Sequence, residues 1–104
     1  MVTVEEAKEW ALALDATGEQ LHFDRTASTV KKKIFASLSL EKRTLNLKFN
    51  PAEQFIFCPP TSDVIFPVPG GWGRQGWTTI NLQKASKTLV KKALAKAYEL
   101  RKEK

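Results

Sequence analysis

Between Thr44 and Phe49 apolar and polar residues alternate without a break: Leu45, Leu47 and Phe49 fall on one side, Thr44, Asn46 and Lys48 on the other. A period of two is that of a strand with one buried and one wet face. The whole stretch from Leu21 to Lys48 reads as short β-prone runs divided by charged turns, with Leu21 to Asp24, Ser28 to Val30 and Lys33 to Leu38 as the other candidate strands. The connections at Lys31-Lys32 and Glu41-Lys42-Arg43 have hairpin lengths, so the region predicts an antiparallel meander. Val64 to Phe66 and Trp77 to Leu82 are two further strands.

Helical spacing appears at both ends of the chain. Val4, Ala7, Ala11 and Leu14 recur on one face with Trp10 alongside, while Glu5, Glu6, Lys8 and Glu9 face water. Thr3-Val4-Glu5-Glu6 is a capping box, which predicts a helix from this point to about Ala16. Ser86 caps a last helix running to about Leu100, with Leu89, Val90, Ala93, Leu94, Ala97 and Tyr98 on one arc and lysines over most of the rest. A short middle helix starts at Asn50-Pro51-Ala52-Glu53 and must end at Cys58-Pro59-Pro60, since proline breaks the amide ladder and disfavours helical geometry before it. The order of elements is that of an α+β protein.

At 104 residues the chain is expected to form one domain, 1–104, with one modest core. Its 42% hydrophobic and 27% charged residues are those of an ordinary globular protein. Five acids in the first twenty residues do not fit a signal peptide, and the single cysteine, Cys58, forms no internal disulfide; a cytoplasmic location is the expectation.

Charge changes the picture more. Residues 1–24 hold six acids against one lysine, −5, whereas residues 25–104 hold 16 Lys and Arg against five acids, +11. A basic field of that size attracts polyanions. The same field also serves solubility alone.

The most specific segment is Pro69-Gly70-Gly71-Trp72-Gly73-Arg74-Gln75-Gly76-Trp77, which holds four of the chain's five glycines. A tightly shaped loop is expected there. Gly71 to Gly76 matches G-x-G-x-x-G, but the dinucleotide fingerprint needs a helix opening at its last glycines, and here a strand-like run follows. Catalytic sets are equally poor: His22 is the only histidine, and one histidine with one cysteine gives neither zinc-ligand spacing nor a nucleophile-base pair. No enzyme activity, metal or cofactor is expected.

Cations on exposed turns are the remaining candidates. Lys31, Lys32 and Lys33 at one hairpin tip and Arg43 at the next turn suit phosphate contacts, while Trp72, Arg74 and Gln75 form a second contact loop whose side-chain types can reach base edges. Nucleic acid is the partner this pattern favours. The alternative is a protein-interaction or small-ligand domain in which Trp72 lines a groove and the basic face only solubilises.

From Gly70 to Thr78, followed by a strand and the closing helix, the chain resembles the MmcQ/YjbR family of small proteins with a CyaY-like fold. His22-Phe23-Asp24-Arg25, Lys33-Ile34-Phe35-Ala36, Leu47-Lys48-Phe49 and Asn50-Pro51-Ala52-Glu53-Gln54 extend the resemblance over nearly the whole chain. It implies an antiparallel sheet packed by the N-terminal and C-terminal helices, with hairpins likened to a double wing, and a DNA-binding role. Two departures stand out: Ala16-Thr17-Gly18-Glu19 replaces a proline-glycine turn, and Lys31-Lys32-Lys33 makes one wing unusually basic. The iron-binding proteins sharing the fold have an acidic first helix, which Glu5, Glu6, Glu9 and Asp15 echo; that many acids equally suit an ordinary first helix.

Overall fold

Thr3 opens the first helix, α1 (Val4–Leu12), by accepting the Glu6 amide at 3.1 Å while the Glu6 carboxylate takes the Thr3 amide at 3.1 Å. These coordinates are a computed structural model that describes residues 2–14, 17–22, 25–31 and 33–102, with the backbone only at 20–22, 25 and 26. The helix is a turn shorter than its apolar spacing predicts. Thr17 is the reason: its hydroxyl donates to Leu12 O at 3.1 Å and Leu14 O at 2.9 Å, satisfying carbonyls that a longer helix would use.

Thr17 also begins β1 (Thr17–His22), four residues earlier than expected, so Thr17-Gly18-Glu19 is strand and not turn. β1 pairs antiparallel with β2 (Arg25–Val30), itself longer than the predicted Ser28 to Val30; between Ser28 and Thr29 its register against the next strand shifts, with Phe35 as the extra residue on that strand. Phe23 and Asp24, assigned to the first strand from sequence, lie outside the described residues. The meander continues through β3 (Lys33–Ser39) and β4 (Thr44–Lys48).

Asn50 caps α2 (Pro51–Phe57), its side-chain oxygen accepting the Glu53 amide at 2.8 Å. β5 (Ile65–Pro67) follows. The glycine segment then departs from expectation, for Gly71–Arg74 forms a single helical turn, α3, before β6 (Trp77–Asn81). Ser86 caps α4 (Lys87–Lys102) by accepting the Leu89 amide at 3.1 Å.

The six strands make one antiparallel sheet in the order β1-β2-β3-β4-β6-β5. Alternation decides its faces. Leu45 and Leu47 of β4, with Ile80 of β6 and Ala36 and Leu38 of β3, turn inward against α1 and α4 and are buried with Val90, Leu94 and Ala97. Thr44, Asn46 and Thr79 occupy the other side, where the Thr79 hydroxyl donates to Asn46 Oδ1 at 2.8 Å. Glu6 pairs with Lys87 at 3.3 Å and the Lys91 ammonium stands 4.9 Å from the Trp10 ring centre, joining the two helices. β5 is a guarded edge: Ser62 Oγ takes the Ile65 amide at 3.3 Å and Pro67 has none to offer. Among the described residues no helix is long and apolar enough to cross a membrane.

Candidate nucleic-acid interface

Strand register sorts the predicted contact residues between the two ends of the sheet. Val30 pairs with Lys33, so the β2–β3 connection is a two-residue hairpin turn with Lys31 exposed at its tip. Lys33 is exposed beside it, and Lys32 lies outside the described residues. Lys31 adopts φ +51°, a left-handed conformation that hairpin turns normally give to Gly or Asn.

The structure adds residues to this tip that the sequence did not single out. Lys31 shares an open depression of about 460 Å³ with Tyr98, Glu99 and Lys102 at the end of α4. The Lys102 ammonium stands 5.5 Å from the Tyr98 ring centre, and the Arg101 Nε–H donates to Ile34 O at 2.9 Å, clipping the helix end to β3. Glu99, the acid in the depression, is paired with Lys96 at 3.7 Å. The tip is therefore a cationic cluster built from two elements. Its α4 members could have been suspected from the lysine-rich face of that helix, but only packing places the helix end beside the hairpin.

Arg43 belongs elsewhere. It also has positive φ, +54°, but it ends the β3–β4 turn, a strand length of roughly 20 Å from the lysine tip. It shares a depression of about 390 Å³ with Glu5, Leu40 and Gln83, and its carbonyl accepts the Leu82 amide at 3.1 Å. An antiparallel hairpin sends its two turns to opposite ends of a strand, so Lys31, Lys33 and Arg43 do not form one patch.

The glycine segment lies at the lysine end, because Trp77 pairs with Lys48 and Leu47 pairs with Ala36. Its turn is held by close backbone packing. A Cβ at Gly73 would meet Val68 O at 1.9 Å, and Gly76, at φ +107°, accepts the Phe49 amide at 3.0 Å. Lys48 donates to Phe49 O at 3.2 Å and also to Gln75 O, so its charge is spent on the turn. Gln54 of α2 closes the arrangement: its amide nitrogen lies 2.9 Å from Gly73 O, 3.1 Å from Trp77 O and 3.2 Å from Thr78 Oγ1. What this scaffold leaves outside is Trp72, 63% exposed, with Arg74 and Gln75 exposed beside it. Among the described residues the Arg74 side chain has no ion-pair partner.

Two more exposed apolar residues stand on α2, whose Gln54 bonds this turn: Phe55 at 85% and Ile56 at 71%. The signal for them was in the sequence. Phe55, Ile56 and Phe57 point about 100° apart on a two-turn helix, which cannot bury all three against one surface. Phe57 takes the inward place, stacked on Phe49 with ring centres 4.8 Å apart.

Among the described residues no three or more His, Cys, Asp or Glu side chains converge, and Glu6 of the acidic helix is engaged by Thr3 and Lys87, which hold its carboxyl below the usual range. Burial pushes the Cys58 thiol up, against a hydrogen bond with Thr78 that acts the other way. Since the thiolate is the nucleophile, Cys58 is expected to react with iodoacetamide at pH 7.5 several-fold more slowly than free cysteine. A rate equal to that of the free amino acid would contradict the packing described for it.

A six-stranded antiparallel sheet, helices on one face and a cationic hairpin end together define a small basic α+β domain. The chain belongs to the YjbR family, whose profile matches residues 12–100. The match runs from the end of α1 almost to the end of α4, so most of the acidic first helix lies outside it. Curated proteins give no match.

Proposed function

We propose that the protein is a non-enzymatic DNA-binding module that holds the phosphate backbone at the β2–β3 hairpin tip, through Lys31, Lys32 and Lys33 together with Lys102. The observation that carries this reading is the convergence of the Lys31 tip with the basic end of α4. Cations from two elements gathered at one corner suit a polyanion, and release of the polyanion's counterions drives binding. The residue choice at the tip supports it as well, since a lysine stands in a backbone conformation that suits glycine better. Trp72, Arg74 and Gln75 form a second contact at the same end of the sheet.

Fluorescence anisotropy with a labelled duplex tests this across salt concentration. The wild-type log-log slope is expected to become shallower by about 0.9 for each phosphate contact removed in Lys31→Ala, Lys33→Ala and Lys102→Ala. Lack of binding at low salt, or an unchanged slope in all three variants, would sink the reading. The exposed Phe55 and Ile56 favour the alternative of a protein-interaction domain, and it takes precedence in that event.

Lys31→Gly separates the stabilising from the binding role of the tip. Relief of the left-handed strain, less the added chain entropy of glycine, is expected to raise stability by about 0.5–1 kcal/mol. DNA affinity is expected to fall in the same variant. Thermal unfolding and anisotropy read the two opposite changes; a fall in both would mean that the lysine side chain braces the turn.

A further inference from the structure

The Gln54–Gly73 hydrogen bond brings α2 and the glycine turn together, and on either side of it the chain exposes a large aromatic ring. Phe55 follows Gln54 and Trp72 precedes Gly73, so each ring lies one residue from a direct 2.9 Å contact. We infer that this corner is a stacking platform for unpaired nucleobases, and that the protein takes single-stranded nucleic acid there, separately from the phosphate contacts at the lysine tip. The inference rests on the nucleic-acid-binding reading above and names a second substrate form for it.

Three observations favour this occupant. Trp72 is held out by a turn whose backbone is locked at Gly73 and Gly76, so stacking on it orders little that is not already ordered. Arg74 and Gln75, exposed in the same turn, supply one cation for a phosphate and one amide for a base edge, complementary to a single strand and matched in sign by the net charge of +6. Beside Phe55 runs an open groove of about 470 Å³, walled by Phe66, Pro59, Pro60 and Pro67, which offers a base an apolar slot.

A bilayer suits the corner less well. From Phe49 to Gly73 there is no Lys or Arg. A wedge entering an anionic membrane is normally ringed by several.

The test uses the full chain with a fluorescein-labelled dT12 strand and a labelled twelve-base-pair duplex, read by anisotropy at fixed low salt. Trp72→Ala and Phe55→Ala are each expected to weaken dT12 binding roughly tenfold, the scale of one lost base–ring stack; Phe55→Ala is expected to change duplex binding less than about twofold, and Trp72→Ala, which also removes part of the second duplex contact, to weaken the duplex less than it weakens dT12. Trp72→Phe keeps a ring and is expected to recover most of the loss. Lys31→Ala is expected to weaken the duplex more than dT12. Both side chains are exposed, and unchanged urea midpoints confirm that the variants fold.

The failures are distinguishable. Wild-type binding to dT12 but not to duplex leaves the platform standing and removes the duplex reading. Duplex binding with Trp72→Ala and Phe55→Ala indistinguishable from wild type on dT12 overturns the platform alone. An absence of binding to either probe overturns both. The platform is equally overturned if the exposed rings prove to be covered otherwise: if the wild type sediments as a dimer that Trp72→Ala dissociates, or if phosphatidylserine vesicles and not dT12 shift the tryptophan fluorescence.

Discussion

Gly76→Ala is expected to remove about 4 kcal/mol or more, a large part of the roughly 5–15 kcal/mol that holds a domain of this size together. The cause is not a lost contact. At φ +107° an L-residue is strained whatever the space around it, and here the added Cβ would stand 1.8 Å from Phe49 O and 2.6 Å from Phe49 C. Both are backbone atoms at the exit of β4, where the Phe49 amide bonds Gly76 O at 3.0 Å, so no flexible side chain can swing away. Relief would require parting β4 from β6. Urea denaturation reads the effect as a midpoint lowered by about 2–4 M for a slope near 1–2 kcal/mol/M. Gly71→Ala is the control in the same turn, since its Cβ meets nothing within 4 Å and its φ is not positive; its midpoint is expected within about 0.5 M of wild type. A fall of less than 1 M for Gly76→Ala would show that the turn yields.

Phe35→Ala is the second large effect, expected at about 3–5 kcal/mol. Phe35 is fully buried on β3 and meets the Tyr98 ring edge-on, with centroids 5.8 Å apart and planes at 77°. Truncation leaves a cavity between sheet and α4 and also removes an aromatic pair worth about 0.5–1.5 kcal/mol beyond its burial. Phe35→Leu, which refills most of the volume, is expected to cost clearly less. The effect reaches the candidate site, because Tyr98 carries Lys102 beside the lysine tip. Equilibrium unfolding gives the stability loss, and a Phe35→Leu variant that folds but binds duplex more weakly would show the support acting. A loss below about 1.5 kcal/mol for Phe35→Ala would mean that the core closes over the gap.

Much of the fold was legible because it is written in local terms. The Thr3 capping box, the Asn50-Pro51 start of α2 and the Ser86 cap of α4 are short-range hydrogen-bond patterns, and each holds as read. The alternation in β4 predicts which of its side chains are buried, because a pleated strand offers no other arrangement. Errors fell where a distant partner outweighed local preference. α1 ends early because Thr17 takes its carbonyls, and β1 starts early because Thr17 pairs with Val30, thirteen residues on. The glycine segment is a helical turn and not an irregular loop. Its shape depends on the Gln54 amide and on the backbones of Val68 and Phe49, all remote in sequence.

For the candidate site the division is similar. Sequence alone determined that cations stand at hairpin turns, that Trp72, Arg74 and Gln75 share a glycine-rich turn, and that the positive charge lies outside the first helix. Charge, turn length and glycine content are properties of neighbours along the chain. Only the tertiary structure decided which of these groups share a surface. It parted Arg43 from Lys31 by the length of β3, brought Arg101 and Lys102 to the lysine tip, turned Trp72 outward, and bonded the helix that exposes Phe55 to the turn that exposes Trp72. Register and helix packing made those choices, and both are set by buried apolar contacts between residues far apart in sequence.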